Sequence, residues 1–277
     1  MPADGPWAVG DHQQRWNGYL DPSTGILRNL VGAQTWDELH QRENAYVEYR
    51  ALELRARPVP QTFDLDHLRA LHGHLFQDVY AWAGEIRTVD MGKRAAPGVA
   101  GPGFLPHGQV PDVMEHVRDV LRDVKWLRTS SLSTAKQTLP ILYNIVNTAH
   151  PFRGGNGRTQ RQFFNDLATG AGFKIDWTSI PKAVNDRASE MARGGDELLM
   201  KAMFDVIVSE TPERAARSAG LAGFTRPGEG PTPSVSEQGP ARQRGLLPRP
   251  RRGSKPLGQP GHRRSSRGLP VVLPIPS

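Results

Sequence analysis

Apolar side chains recur with a helical period along most of the first 211 residues. Leu68, Leu71, Leu75 and Val79 stand at i, i+3, i+7 and i+11, which predicts a helix with one buried stripe. Asp64 is a suitable cap for its start, and Gly84 a suitable stop. Upstream, "TWDELHQRENAYVEYRALEL" reads as a helix with Leu39, Ala45, Val47, Ala51 and Leu54 facing inward. Thr35 followed by Glu38 has the spacing of a capping box. Val113, Val117, Val120 and Leu121 align in a third helix, and "STAKQTLPILYNIVNTA" forms a fourth, in which Pro140 predicts a kink or a start. "TQRQFFNDLATGAG" and "ELLMKAMFDVIVSE" complete a mainly α domain ending at residue 212.

Two regions break this pattern. "WNGYLDPSTGILRNLVG", residues 16–32, is aromatic and reads as irregular. Ile86 to Met91 alternates as a strand does, and a Gly/Pro-rich stretch follows, so residues from about 86 to 109 predict a short β-hairpin, the only β element. Residues 213–277 differ in kind, with eleven Pro and ten Gly and no periodicity, a composition that predicts a disordered basic tail.

Charge sharpens that division. The net charge is +7, but residues 213–277 carry twelve Arg or Lys against three Glu, a surplus of nine, which leaves about −2 for the domain. The basicity therefore belongs to the tail, where weak nucleic-acid binding through "RPRRGSK" and "HRRSSR" is the most it suggests. The absence of cysteine fits a reducing cytoplasm. No signal peptide is visible at the N-terminus. No apolar run approaches the roughly 20 residues of a membrane helix.

The chemistry concentrates in "AHPFRGGNGRTQRQFF", residues 149–164. Pro151 biases His150 away from helix, so the fourth helix ends at or before His150. Gly154, Gly155 and Gly157 allow a tight turn that leads into a new helix. Free N–H groups at such a helix start, with its dipole, hold phosphate. Arg158 and Arg161 share one face of that helix and can grip one polyphosphate. Asn156 offers an amide donor, and His150 a base that titrates near neutrality. "GGNGRT" lacks the lysine of a GxxxxGK[ST] phosphate loop.

"HPFRGGNGRTQR" resembles the signature of the Fic family, HxFx[DE]GNGRxxR, and "GYLDPSTGILRN", "HLRALHGHLFQDVYAWAGEIRTVD" and "RGGDELLMKAMF" resemble the surrounding Fic domain. The resemblance covers roughly residues 7 to 210, and the tail has no counterpart. It implies a Fic-type helical bundle with a β-hairpin flap, and transfer of AMP from ATP to a Tyr, Thr or Ser hydroxyl of a target protein. His150 would be the base. Gly154, Gly155, Asn156 and Gly157 would form the anion-binding loop, Arg158 and Arg161 would hold the β- and γ-phosphates, and Phe152 would anchor the loop. Met91, Gly92 and Lys93 would lie at the flap, which covers the nucleotide and aligns the target as an added strand. A small antitoxin chain is the restraining partner that the resemblance implies.

The sequence departs from the pattern at Gly154, where the family has the Asp or Glu that binds Mg²⁺. The expectation is an intact base and phosphate grip with no protein ligand for the metal. Asp90 and Asp166 are the acids considered as substitutes. A nucleotide-binding pseudoenzyme is the alternative, and transfer of a phosphoryl or phosphocholine group is a further variant. An inhibitory [ST]xxxE[GN] pattern occurs formally in "TRPGEG", residues 225–230, and "SETPER" lacks its last position. His67, His72 and His74 lie at spacings that spread them around a helix, so they read as surface histidines. Trp16, Tyr19, Phe76 and Trp82 read as packing aromatics.

Overall fold

A computed structural model describes residues 5–96 and 99–222, the side chains of 93–102 and 220–222 excepted. The expected tail beyond residue 222, "TRPGEG" included, lies outside the described residues.

The elements run α1 (His12–Gly18), α2 (Trp36–Ala56), α3 (Leu65–Phe76), β1 (Gly92–Ala96), β2 (Val99–Gly103), α4 (Val110–Asp123), α5 (Leu132–Ala149), α6 (Asn156–Gly170), β3 (Phe173–Ile175), α7 (Lys182–Arg193), α8 (Leu198–Ile207), β4 (Val208–Glu210) and α9 (Pro212–Ala222). The mainly α expectation and the hairpin are both found. α5 and α6 occupy the middle, with α3 against α6 and α7 and α8 against α5. Phe163, Phe164 and Leu167 of α6 are fully buried, each contributing about 1.5–3 kcal/mol relative to exposure.

Local chemistry explains the helix starts. Asp64 accepts from the His67 N–H at 3.0 Å, as a cap at that position should. Thr35 accepts from the Glu38 N–H at 3.2 Å, but the Glu38 carboxylate turns to the Gln34 N–H instead of closing the box. Pro140 lies inside α5, which runs through it. Leu68, Leu71, Leu75 and Val79 are buried as expected, although α3 ends at Phe76, well short of Gly84.

Several expectations are corrected. The start of the segment expected to be irregular, as far as Gly18, belongs to α1, whose N-terminus carries a reciprocal Asp11–Gln14 capping box. The hairpin begins at Gly92, and residues 86–91 form no regular strand. A second antiparallel pair joins β3 to β4, with Phe173 opposite Glu210 and Ile175 opposite Val208. It is too short for an alternation signal to stand out. The domain end expected at residue 212 is passed by α9. Arg214, counted with the solvated tail charges, lies 4.2 Å over the Phe173 ring and donates to the Ala171 and Ser130 carbonyls. Among the described residues no helix is long and apolar enough to cross a membrane.

Candidate functional site

The loop between α5 and α6 is built on a buried frame. α5 ends at Ala149, and His150 takes a left-handed conformation with φ 45°. Pro151 does exclude the helical region here, but His150 turns left instead of extending. Arg87, 1% exposed, stabilises that turn: its Nε donates to the His150 carbonyl at 2.8 Å and its Nη1 to Val89 at 2.6 Å. Its Nη2 donates to the Leu105 and Ala149 carbonyls. One guanidinium therefore joins the base of the hairpin to the end of α5.

Gly155 opens α6 at φ 76°, and a Cβ there would fall 2.4 Å from the Phe76 ring. Only glycine satisfies both conditions. Gly154 is different: a Cβ would make ordinary contact with Trp82 at 3.5 Å and Leu27 at 3.8 Å. Nothing in the backbone requires glycine at position 154, so the fold does not impose the missing carboxylate.

Asn156 also shapes the loop. Its Oδ1 accepts from the Phe152 N–H at 2.9 Å and its Nδ2 donates to the Phe152 carbonyl at 2.7 Å. The side chain closes the loop with one of its two amide N–H donors, while Asn156 still lines the pocket. The N-terminus of α6 has no side-chain cap, so its first N–H groups remain available.

His72 corrects the sequence reading. It is fully buried, stacked 4.0 Å from Phe152. The Gly84 N–H donates to its Nδ1 at 2.8 Å, so the ring proton sits on Nε2 and is donated to the Gly154 carbonyl at 3.0 Å. Burial pulls its pKa down to about 3, so the ring is neutral. His67 is buried too, 3.2 Å from Asp166, whereas His74 is half-buried. Spacing alone missed this because the covering residues come from distant segments, Phe163 and Asp166 of α6 over His67 and Trp82, Phe152 and Gly154 over His72. Tyr19, Phe76 and Trp82 are buried as packing aromatics, and half-buried Trp16 lies 4.4 Å beneath Arg153.

One pocket of about 680 Å³ collects the loop residues. His150, Gly154, Gly155, Asn156, Gly157, Arg158 and Arg161 all line it. Met91 and Gly92 enter the hairpin without lining the pocket, and Lys93 is described only as part of β1. The hairpin's contribution among the described residues is Phe104, stacked on the His150 ring at 3.6 Å and 12°. Arg158 is bonded to Glu43 and, at 3.0 Å, to Asn44. The other Glu43 oxygen accepts from the Tyr80 hydroxyl, whose pKa is raised by burial and by Glu43. Glu43 was readable in the sequence, since Leu39, Glu43 and Val47 at i, i+4 and i+8 put a carboxylate on a core stripe. The same stripe corrects Ala45, which is exposed, while Ala51 packs half-buried against the core.

The residues present do not fit a protein-held divalent cation. Gly154 has no donor side chain. Glu43 is engaged by Arg158 and Tyr80, and Asp186, the other acid lining the pocket, by Lys182. Asp90 is held by His107 at 2.7 Å and Asp166 by His67, and neither lines the pocket. Among the described residues no cluster of three metal-ligating side chains occurs.

A sequence model of the Fic/DOC family matches residues 62–168. The chain is 35% identical over 185 residues to Protein adenylyltransferase VbhT of Bartonella schoenbuchensis, covering 67% of this chain and 37% of that one. It thus spans little more than a third of that relative's length. It is 34% identical over 183 residues to "Probable protein adenylyltransferase y4lH" of Sinorhizobium fredii, covering 62% of this chain and 88% of that one. Among solved structures, the BepC protein of Bartonella tribocorum with bound AMPPNP superposes with a TM-score of 0.64 at 27% identity, covering 70% of this chain and 98% of that one. The match thus spans most of y4lH and nearly all of BepC, and the chain belongs to the Fic/DOC family.

Proposed function

We propose that the protein is a protein adenylyltransferase, moving AMP from ATP to a Tyr, Thr or Ser hydroxyl of a target protein. The observation that carries this reading is the shared pocket: a histidine base, an uncapped helix start and two arginines converge on one polyphosphate-sized space. The names of VbhT and y4lH and the AMPPNP bound to BepC support it.

In this reaction the target hydroxyl oxygen bonds to the α-phosphorus while His150 accepts its proton. The bond from that phosphorus to the bridging oxygen breaks, and pyrophosphate leaves with the electron pair. The N–H groups opening α6 face the phosphate oxygens, and Arg158 and Arg161 hold the β- and γ-phosphates. Phe104 holds the plane of the His150 ring. Arg158 must exchange Glu43 for phosphate, so nucleotide entry competes with an internal ion pair. β1, entered through Met91 and Gly92, offers an edge to which the target segment adds as a strand. We assign the cytoplasm as its compartment and a small antitoxin chain as its restraint. Among the described residues no acid lining the pocket would be free to hold magnesium, since Glu43 is engaged by Arg158 and Tyr80 and Asp186 by Lys182, and no step is assigned to the metal.

Incubation with ATP labelled at the α- or the γ-phosphate tests the assignment. Retention of the α-label, reduced about a hundredfold or more in His150→Ala, is the expected result. Retention of the γ-label would indicate phosphoryl transfer instead. The lack of a fitting metal carboxylate favours a second reading, a nucleotide-binding module. It predicts ATP binding with neither label retained.

A further inference from the structure

Arg193 ends α7 and lines the same pocket as His150. Its Nη1 donates to the Ser189 carbonyl at 3.1 Å, a bond within its own helix. Its Nε and Nη2 are buried and have no hydrogen-bond partner among the described residues. Its Cζ lies 4.9 Å over the Phe104 ring, whose plane in turn stacks on His150. The nearest acid acting on it, Glu190, is bonded to Arg187 at 3.2 Å. Burial lowers its pKa from the ordinary arginine value, which reflects incomplete solvation of the charge.

A guanidinium has five N–H donors in a fixed fork, and leaving buried donors unused is costly. Arg193 borders a site whose other cations are partly committed: Arg158 to Glu43, Lys182 to Asp186. Among the described residues Arg161 and Arg193 are the pocket guanidiniums without an ion pair. Arg161 belongs to α6, next to the loop. Arg193 approaches from α7, on the side where Phe104 covers the base. A polyphosphate lying along α6 with its reacting phosphorus near His150 would therefore meet Arg193 at its reacting end.

We propose that Arg193 is a phosphate-binding residue of the nucleotide site, supplying beside His150 part of the positive charge that a metal held at position 154 would bring. The proposal rests on the nucleotide reading given above and adds a ligand from outside the motif. It accounts for a Fic loop without its carboxylate: a fixed cation on α7 replaces part of the charge that a protein-held metal would bring. It also accounts for the Phe104 contact, which holds the guanidinium flat while leaving its edge free for phosphate oxygens.

Calorimetric titration of the full chain with ATP, and separately with adenosine, both in chelator, tests this. Wild type, Arg193→Gln, Arg193→Lys and the control Arg187→Gln are compared. Arg193→Gln is expected to weaken ATP binding about tenfold or more, with adenosine affinity and melting temperature unchanged. Arg193→Lys should fall between, and it keeps the test open if the glutamine variant does not fold. Unchanged ATP affinity in Arg193→Gln overturns the proposal. So does an equal loss for ATP and adenosine, which would mark Arg193 as a support for α7. So does a loss confined to target modification, which would assign the arginine to the target. If wild type binds adenosine but not ATP, or neither, the nucleotide reading itself falls along with the proposal.

Discussion

At its His150 end the phosphate loop is fastened to backbone carbonyls and aromatic faces. Arg87 bonds the carbonyls of Val89, Leu105, Ala149 and His150, Asn156 closes on Phe152, and neutral His72 holds Gly154. At its Arg158 end the fastening is a carboxylate, Glu43, set on α2 at the pocket edge. A phosphate cannot replace the first set of contacts, which are buried and already satisfied. It can replace the second, since a phosphate oxygen offers Arg158 what Glu43 offers. The difference separates frame from function: one end fixes where His150 stands, the other is the contact that nucleotide would exchange in the proposed reaction.

Breaking the frame should have the largest effect. Gly155→Ala combines a left-handed φ with a Cβ placed against Phe76, a cost of about 2 kcal/mol or more. It should lower the melting temperature and reduce transfer about a hundredfold or more, because the N–H groups opening α6 are displaced. Wild-type transfer by this variant would show that the loop is not held by its backbone.

His72 sharpens the comparison. His72→Leu leaves the Gly84 N–H and the Gly154 carbonyl unpaired, costing about 1–3 kcal/mol in stability. His72→Gln can donate to one and accept from the other, and should recover part of that loss in a denaturant titration. The pH dependence has a definite sign. The folded pKa of about 3 lies below the ordinary 6.5, so between those values the unfolded chain binds a proton that the folded chain does not. The contribution is therefore full above about pH 6.5 and is lost as pH falls toward 3. His72→Gln should flatten stability across that window, and an unchanged slope would place the acid sensitivity elsewhere.

The exchangeable end predicts the smallest effect, with the opposite sign. Glu43→Gln removes an anion from a pocket that takes a polyanion, so ATP should bind about fivefold more tightly. Weaker binding would mean that Glu43 positions Arg158 for the nucleotide instead of competing with it.

Much of this site was legible before any coordinates. "HPFRGGNGRTQR" carries its chemistry in consecutive residues, so His150, the glycines and both arginines could be named, and the helical stripes through Leu68 and Phe163 set the frame. What stayed hidden depends on contacts between distant segments. His72 looked like a surface residue because its partners, Gly84 and Gly154, lie 12 and 82 positions away. Asn156 could be named as a donor, but sequence cannot show that its amide also bonds the Phe152 N–H and carbonyl. Arg193 reaches the pocket from α7, outside any local motif, and the stripe of α2 that carries Glu43 does not show its bond to Arg158. β3 and β4 were too short for alternation to register.

The central claim is that base and phosphate grip are intact while the carboxylate at position 154 is missing, in a place where the fold would accept one. The most direct test is the rate of α-label transfer by wild type and Gly154→Glu across a magnesium titration. The account predicts that Gly154→Glu folds normally and, with magnesium, transfers AMP about a hundredfold faster than wild type, the equivalent of about 3 kcal/mol. Equal rates in the two proteins at every magnesium concentration would contradict it.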